Sequence, residues 1–165
     1  MKAKGKVAMA LAVLFPVALG LGSIPAASAA RGSIHIEVTV VEGPFLRFVD
    51  AGAQGLSPGD LVMEDQPASD PVDGSPVGRA ISRIQIVRLF KGGDGIALLD
   101  STIDLDGGTI SIHGPVRLSE LDGTASPHFA VVGGTGTYSF ATGEAIIAHT
   151  KGDEAYTVSI DLTTT

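Results

Sequence analysis

The first segment with a clear hydrophobic pattern alternates between apolar and polar side chains. Apolar residues occupy every second position from 34 to 40, and the positions between and after them carry His35, Glu37, Thr39 and Val41. A period of two residues is that of a β-strand whose two faces meet different surroundings. No later segment has the 3.6-residue period of a long helix. The pattern therefore predicts an all-β protein.

Further short apolar runs are separated by glycine, proline and acidic residues. They predict strands at 45–49, 60–64, 79–90, 95–105, 109–113, 129–132, 143–150 and 156–162. About eight short strands at this spacing are typical of an antiparallel sandwich or a closed barrel. Periodicity alone leaves both architectures open.

The turns between these runs have recognisable chemistry. Asp106-Gly107-Gly108 predicts a tight hairpin, in which the glycines accept the positive φ of a primed turn. Residues 91–95, with three glycines, predict a second hairpin. Residues 66–76 contain three prolines among acidic residues, which predicts a surface loop.

The first thirty residues differ from the rest of the chain. Three lysines precede an apolar stretch at 7–21, and small residues follow at 27–30, as in a cleaved secretory signal. A membrane anchor is the alternative, because residues 7–30 carry no charge. Prolines and glycines interrupt that segment, which favours cleavage. We expect a signal peptide at 1–30, one exported domain at 31–165, and no membrane association after cleavage.

Composition narrows the classes of function. Apolar residues make up 44% and charged residues 18%, which is typical of a globular domain. The formal net charge is -7, and it becomes -10 once the three lysines of the leader are removed. Such a surface repels phosphate groups, so we expect no nucleic-acid partner. The absence of cysteine excludes disulfides, thiol catalysis and thiolate metal sites.

Five short motifs carry a family resemblance. They are GDLV at 59–62, VGRA at 77–80, GTISIHGP at 108–115, VGGTGTY at 132–138 and ATGE at 141–144. In this order they resemble the allene oxide cyclase and dirigent protein superfamily over nearly all of the mature chain. The resemblance implies an eight-stranded antiparallel β-barrel with a central apolar cavity, usually as a homotrimer. The glycines of the fourth motif are interpreted as a barrel corner and not as a phosphate loop, because no helix follows.

The resemblance also implies site residues. Glu37 and Thr39 match a glutamate and an asparagine in the first strand of the cyclases, with threonine replacing asparagine. We predict that Glu37 stabilises charge and that Thr39 and Tyr138 orient the ligand. The alternation itself offers another interpretation, in which Glu37 lies on the solvated face of its strand. Asp65 matches the acid of the dirigent Asp-x-Pro segment and is predicted either to order a loop or to contact ligand.

The aromatic residues of the mature chain suit either a ligand pocket or a core. Phe48, Phe129 and Phe140 are predicted to contact the ligand, and the core remains the alternative. The four histidines lack metal-ligand spacing, no nucleophile motif is present, and we predict neither a metal nor a cofactor.

The sequence thus predicts a secreted barrel that binds a hydrophobic small molecule and steers its cyclisation or isomerisation, as an isomerase or cyclase would. One alternative is a non-catalytic carrier or dirigent-like protein for a secreted metabolite. Another is a filled barrel in which Ile34, Ile36, Val38 and Val40 face a subunit interface.

Overall fold

The computed structural model describes residues 32–41, 43, 45–121, 123, 125–149 and 155–164. The predicted leader lies outside these residues. Among them, no helix is both long and apolar enough to cross a membrane. Nine strands are present: β1 (Gly32–Val41), β2 (Phe45–Val49), β3 (Leu61–Ser69), β4 (Pro76–Leu89), β5 (Gly95–Leu105), β6 (Gly108–Arg117), β7 (His128–Gly134), β8 (Thr142–His149) and β9 (Ala155–Thr164). Two short 3₁₀ helices, Leu118–Glu120 and Gly136–Tyr138, accompany them.

All nine strands join one antiparallel sheet that closes on itself. Its order is β1-β9-β8-β7-β6-β5-β4-β3-β2, and β1 also pairs with β3. Strand β1 pairs with β3 through Val40 opposite Ala68, and β2 pairs with β3 through Phe45 opposite Asp65. Because β1 and β2 lie along the same side of β3, they are two halves of one interrupted strand. The structure is therefore an eight-stranded antiparallel barrel. This confirms the predicted fold and excludes the sandwich.

The interruption between β1 and β2 requires a glycine. A Cβ atom on Gly43 would overlap the carbonyl oxygen of Asp65 on the neighbouring strand. Only a residue without a side chain lets the backbone approach β3 this closely. The first strand can therefore pair with β9 and close the barrel, and then continue beyond it as β2.

Alternation along each strand sends one set of side chains into the barrel. Val38 and Val40 are buried, and Ile34 and Ile36 pack against the same core from a partly buried position. The interpretation in which this face meets another subunit is wrong, because the face fills the interior. Large residues from the other strands complete the core, among them Ile86, Ile110, Val116, Phe129, Val131, Ile160 and Leu162.

The predicted surface loop at 66–76 is shorter than expected. Strand β3 continues through Pro67 to Ser69, and β4 begins at Pro76. Strand β3 pairs with β2 up to Asp65 and with β1 from Ala68, so Pro67 lies opposite the interruption between them. A proline, which has no N–H to donate, is tolerated where the neighbouring strand is broken. The predicted loop therefore began too early, because it was based on proline content.

Both predicted hairpins are present. The first has a two-residue turn at Asp106 and Gly107, and Gly107 has φ +98°. A primed turn also needs a positive φ at the first turn residue, and Asp106 does not have one, so the expected turn type is wrong. In the second hairpin, Gly92 and Gly93 both adopt positive φ, 106° and 94°.

A buried carboxylate organises the long connection at 50–60, between β2 and β3. The carboxylate of Asp60 accepts hydrogen bonds from the amides of Ala51 and Ser57, at 2.9 and 2.6 Å, and from the Ser57 hydroxyl at 3.1 Å. Burial on its own raises the pKa of Asp60, but the hydrogen bonds from Ala51, Ser57 and Gly52 outweigh it, and the pKa lies below its ordinary value.

We predict that Asp60→Asn destabilises the barrel. The amide cannot accept all of these hydrogen bonds, and we expect the Tm at neutral pH to fall by about 5 °C or more. A carboxyl whose pKa is lowered on folding stabilises the protein above its unfolded pKa, and this contribution is lost as pH falls through the folded pKa. Thermal unfolding should therefore show the two proteins converging in acid. Asp50→Asn, an exposed change in the same connection, is the control, and an equal loss in both variants would contradict the prediction.

Candidate functional site

A cavity with a volume of about 160 Å³ lies inside the barrel. It lies toward the end of the barrel where β8 ends and β9 begins, because His149 and Ala155 border it. Most of its wall is aliphatic: Ile84, Leu99, Ile103, Ile112, Ile147 and Val158. Such a wall takes up apolar surface. The interior is therefore not completely filled by side chains.

One side of the cavity carries a tyrosine, a glutamine and a histidine. The Tyr156 hydroxyl donates a hydrogen bond of 2.5 Å to Oε1 of the buried Gln66. His149 lies opposite Tyr156 on the neighbouring strand, and their ring centroids are 5.4 Å apart. Strand pairing holds these three side chains in fixed positions relative to one another.

A second polar row crosses β3, β4 and β5. Glu64 lies opposite Ser82, and Ser82 lies opposite Ser101. The two serine hydroxyls form a hydrogen bond of 2.9 Å inside the barrel. Glu64 is half-buried and supplies the carboxylate of the cavity wall. The row thus adds a carboxylate and two hydroxyl groups to the mainly aliphatic wall.

The structure brings neither Glu37 nor Thr39 to this cavity. Both alternate with the inward-facing Val38 and Val40, and they therefore lie on the outer face of β1. Glu37 is exposed and Thr39 is half-buried. The predicted roles of Glu37 and Thr39 in turnover stay predictions. The carboxylate that lines the cavity belongs to Glu64.

Tyr138 and Phe140 lie at the opposite end of the barrel. Tyr138 belongs to a 3₁₀ helix that packs on the β5–β6 turn, where the Thr137 amide donates to the Gly107 carbonyl oxygen at 2.8 Å. This contact agrees with the interpretation of the glycine motif as a barrel corner. Phe140 is 81% exposed and has φ +62°. Neither residue lines the cavity, and their contact with a ligand stays a prediction.

The remaining predicted residues occupy three different environments. Phe129 is buried and packs over Gly114, so it belongs to the core. Phe48 is exposed on β2. Asp65 lies within β3 and forms two hydrogen bonds with the Arg79 guanidinium, which raise the pKa of Arg79. The loop-ordering interpretation of Asp65 is wrong, because this residue pairs two strands on the outer surface.

Several polar residues of the cavity wall were not predicted from the sequence, among them Glu64, Gln66, Ser82 and Ser101. The sequences of β4 and β5 contain a signal that identifies the two serines as inward-facing. Ser82 follows Ala80 by two positions, and Ser101 follows Leu99 by two, so both serines occupy the apolar phase of their strands. A polar residue in the buried phase of a strand marks either a satisfied pair or a site.

Histidine and acidic side chains form separate pairs on the outer surface. His35 contacts Asp161 at 2.7 Å, and His128 contacts Glu144 at 3.0 Å. Asp100 binds both Arg83 and His113, each at 2.5 Å, and Arg83 is the main cause that holds the pKa of Asp100 below its ordinary value. Within the described part of the chain, no three such side chains meet as a metal site would require.

The family is identified by a sequence match. Residues 35–162 match the family described as allene oxide cyclase barrel like domain. This range covers most of the chain, so the protein belongs to that family, as its motifs predicted. No curated protein sequence matches this chain.

Solved structures with the same fold are distant in sequence. Pyocyanin demethylase has a TM-score of 0.67 and 22% identity, over 78% of this chain and 99% of that one. A pterocarpan synthase dirigent protein has a TM-score of 0.65 and 19% identity, over 82% and 86%. An exo-specific intermolecular Diels-Alderase has a TM-score of 0.62 and 12% identity, over 81% and 99%. At these identities the similarity shows a common barrel fold.

We predict that Tyr156→Phe destabilises the protein although it removes a single oxygen. The buried Oε1 atom of Gln66 loses the donor that satisfies it, at a cost of about 1 to 3 kcal/mol in the free energy of unfolding. Denaturant titration measures this change. Tyr138→Phe is the matched control, because the described residues give the Tyr138 hydroxyl no hydrogen bond. Equal effects of the two substitutions would contradict the role of the Tyr156–Gln66 pair.

Proposed function

We propose that this protein binds one hydrophobic small molecule in its barrel and steers the cyclisation or isomerisation of that molecule. The observation that carries the proposal is the cavity, which combines an aliphatic wall with a few fixed polar groups at one side. A wall of this kind restrains a flexible substrate in a folded shape, which lowers the entropic part of the barrier. Polar groups at one side give the bound molecule a single orientation.

Two cavity residues have the chemistry that such a reaction uses. The carboxylate of Glu64 stabilises positive charge that develops on a conjugated substrate, and it does so more strongly in an apolar cavity than in water. The side-chain amide of Gln66 carries N–H groups that can donate to a carbonyl or an oxyanion, and the Tyr156 hydroxyl, which donates to Oε1 of Gln66, holds that amide in place. Both groups belong to strands, which hold them in place more firmly than loops do.

The known barrels support a role in steering reactions. One structural relative is named as an intermolecular Diels-Alderase and another as a pterocarpan synthase dirigent protein. The names describe ring-forming or product-directing proteins that share this fold. A third relative is named as a demethylase, so the fold accommodates other chemistry, and the side chains of this cavity must decide the reaction.

A non-catalytic carrier is the second candidate, and one observation favours it. The Tyr156 hydroxyl bonds to Gln66, and the two serine hydroxyls bond to each other. A polar group already satisfied within the protein is a poor acid or base but a good fixed contact for a ligand. In this version the cavity holds a metabolite and releases it unchanged.

Export and assembly form part of the same proposal. The leader at 1–30 would direct the protein to the outside of the cell, where the barrel acts on or carries a secreted hydrophobic molecule. The family resemblance supports a homotrimer. The acidic composition of the chain supports the absence of nucleic acid among its partners.

Native mass spectrometry distinguishes the two versions. The purified protein is exposed to a lipid and metabolite extract of its own culture, and the released molecules are analysed before and after incubation. We expect a bound molecule that is converted into an isomer of equal mass. Release of the same molecule unchanged would favour the carrier. A protein that stays empty in every extract would contradict both, and the same spectra report the number of subunits.

The charge of the cavity supplies a sharper prediction. Glu64→Gln keeps the size of the side chain and removes its charge, so we expect turnover of an identified substrate to fall by about tenfold or more. Glu37→Gln makes the same chemical change on the outer face of β1 and is the control. Turnover that is unaffected by Glu64→Gln would exclude charge stabilisation by the cavity, and a loss only in Glu37→Gln would move the site to the outer face.

A further inference from the structure

The inner face of the barrel wall continues beyond the rim along β2. Leu46 lies opposite Glu64, and Phe48 lies opposite Val62, which in turn lies opposite the cavity residue Ile84. Residues directly opposite one another in antiparallel strands project from the same face of the sheet. Leu46 and Phe48 therefore stand on the face that lines the cavity. We call Leu46, Phe48 and Val62 the lip.

The lip is apolar and largely uncovered. Leu46 is 66% exposed and Phe48 is 47% exposed, although they project from the inner face. Among the described strands, β2 pairs with β3 alone, so no neighbouring strand shields its other side. Exposure of adjacent large apolar side chains to water is unfavourable. In soluble proteins, exposed apolar patches commonly mark binding sites.

The enclosed cavity is small compared with most ligand sites. Its volume is about 160 Å³, whereas sites for drug-sized molecules have volumes of about 300 to 1,000 Å³. A larger ligand must therefore extend out of the cavity. The lip continues the cavity wall and offers apolar contact at that end.

We propose that the ligand is an elongated, neutral amphiphile that occupies the cavity and the lip together. Its polar head lies in the barrel near Tyr156, and its aliphatic tail lies across Leu46 and Phe48. The head carries no negative charge, because the Glu64 carboxylate lines the same cavity. This inference rests on the proposed function and makes the lip the determinant of chain-length specificity.

Isothermal titration with a homologous series of methyl ketones, from hexanone to tetradecanone, tests the proposal. The carbonyl serves as the neutral head and accepts a hydrogen bond. We expect each methylene that reaches the lip to tighten binding by up to about fourfold, until the lip is covered and the affinity levels off. The carboxylic acids of the same lengths should bind more weakly than the ketones.

Two variants on one strand separate the lip from the rest of the surface. Leu46→Ser with Phe48→Ser removes its apolar side chains, and the dependence of affinity on chain length should become flat to within about twofold per pair of methylenes. Phe45→Ser is the matched control, because Phe45 is 51% exposed on the same strand but opposite Asp65, on the outer face. All three residues are exposed, and thermal unfolding confirms that each variant folds.

Each of the following results would overturn the inference. Short ketones that bind with no gain from added methylenes would refute the lip and leave the proposed function intact. A chain-length dependence that survives in the double variant, or is lost equally in Phe45→Ser, would also refute it. Self-association of the purified protein that the double variant abolishes would assign the lip to a second copy of the chain. If no ketone binds at all, the inference fails, and native mass spectrometry with the culture extract decides the proposed function separately.

Discussion

Closure of the sheet through the first strand is the constraint on which the rest of this structure depends. Strand β1 pairs with β9 along its whole length, and only Thr39 and Val40 of β1 pair with β3. The chain then passes Gly43, where a side chain would strike the backbone of β3. One interruption thus closes the barrel and sends β2 beyond the rim.

Closure also determines where chemistry can occur. An eight-stranded barrel has an interior that side chains can nearly fill, so open space depends on residue size. Here the space arises where Ala80, Ser82 and Ser101 stand in place of large aliphatic side chains. The polar atoms near it belong to strands that the closure fixes relative to one another. A compact polar cluster inside the barrel is therefore a property of the whole sheet, although individual residues supply its chemistry.

The sequence predicted the fold more completely than the site. Alternation and glycine turns predicted β2 and β5 with their observed bounds, because both signals are local. Pro67 was misleading because its tolerance depends on a break in another strand, which no local pattern reveals. For Glu37, alternation with the apolar residues of β1 indicated the solvated face, where the structure places it, whereas the family motif implied a role in the site. Glu64 lies within β3, in a stretch of sequence without clear alternation, and its position in the wall follows from its pairing with Ser82.

The hydrogen bond between Ser82 and Ser101 has a consequence for how such a barrel can change over evolutionary time. Each hydroxyl satisfies the other, so no third residue depends on either of them in this contact. Losing one alone leaves a buried partner unsatisfied, whereas replacing both with apolar residues of similar size can be nearly neutral. Paired exchanges of this kind reshape the chamber with little loss of stability. Descendants of one barrel could thereby acquire different ligands while the sheet around them stays the same.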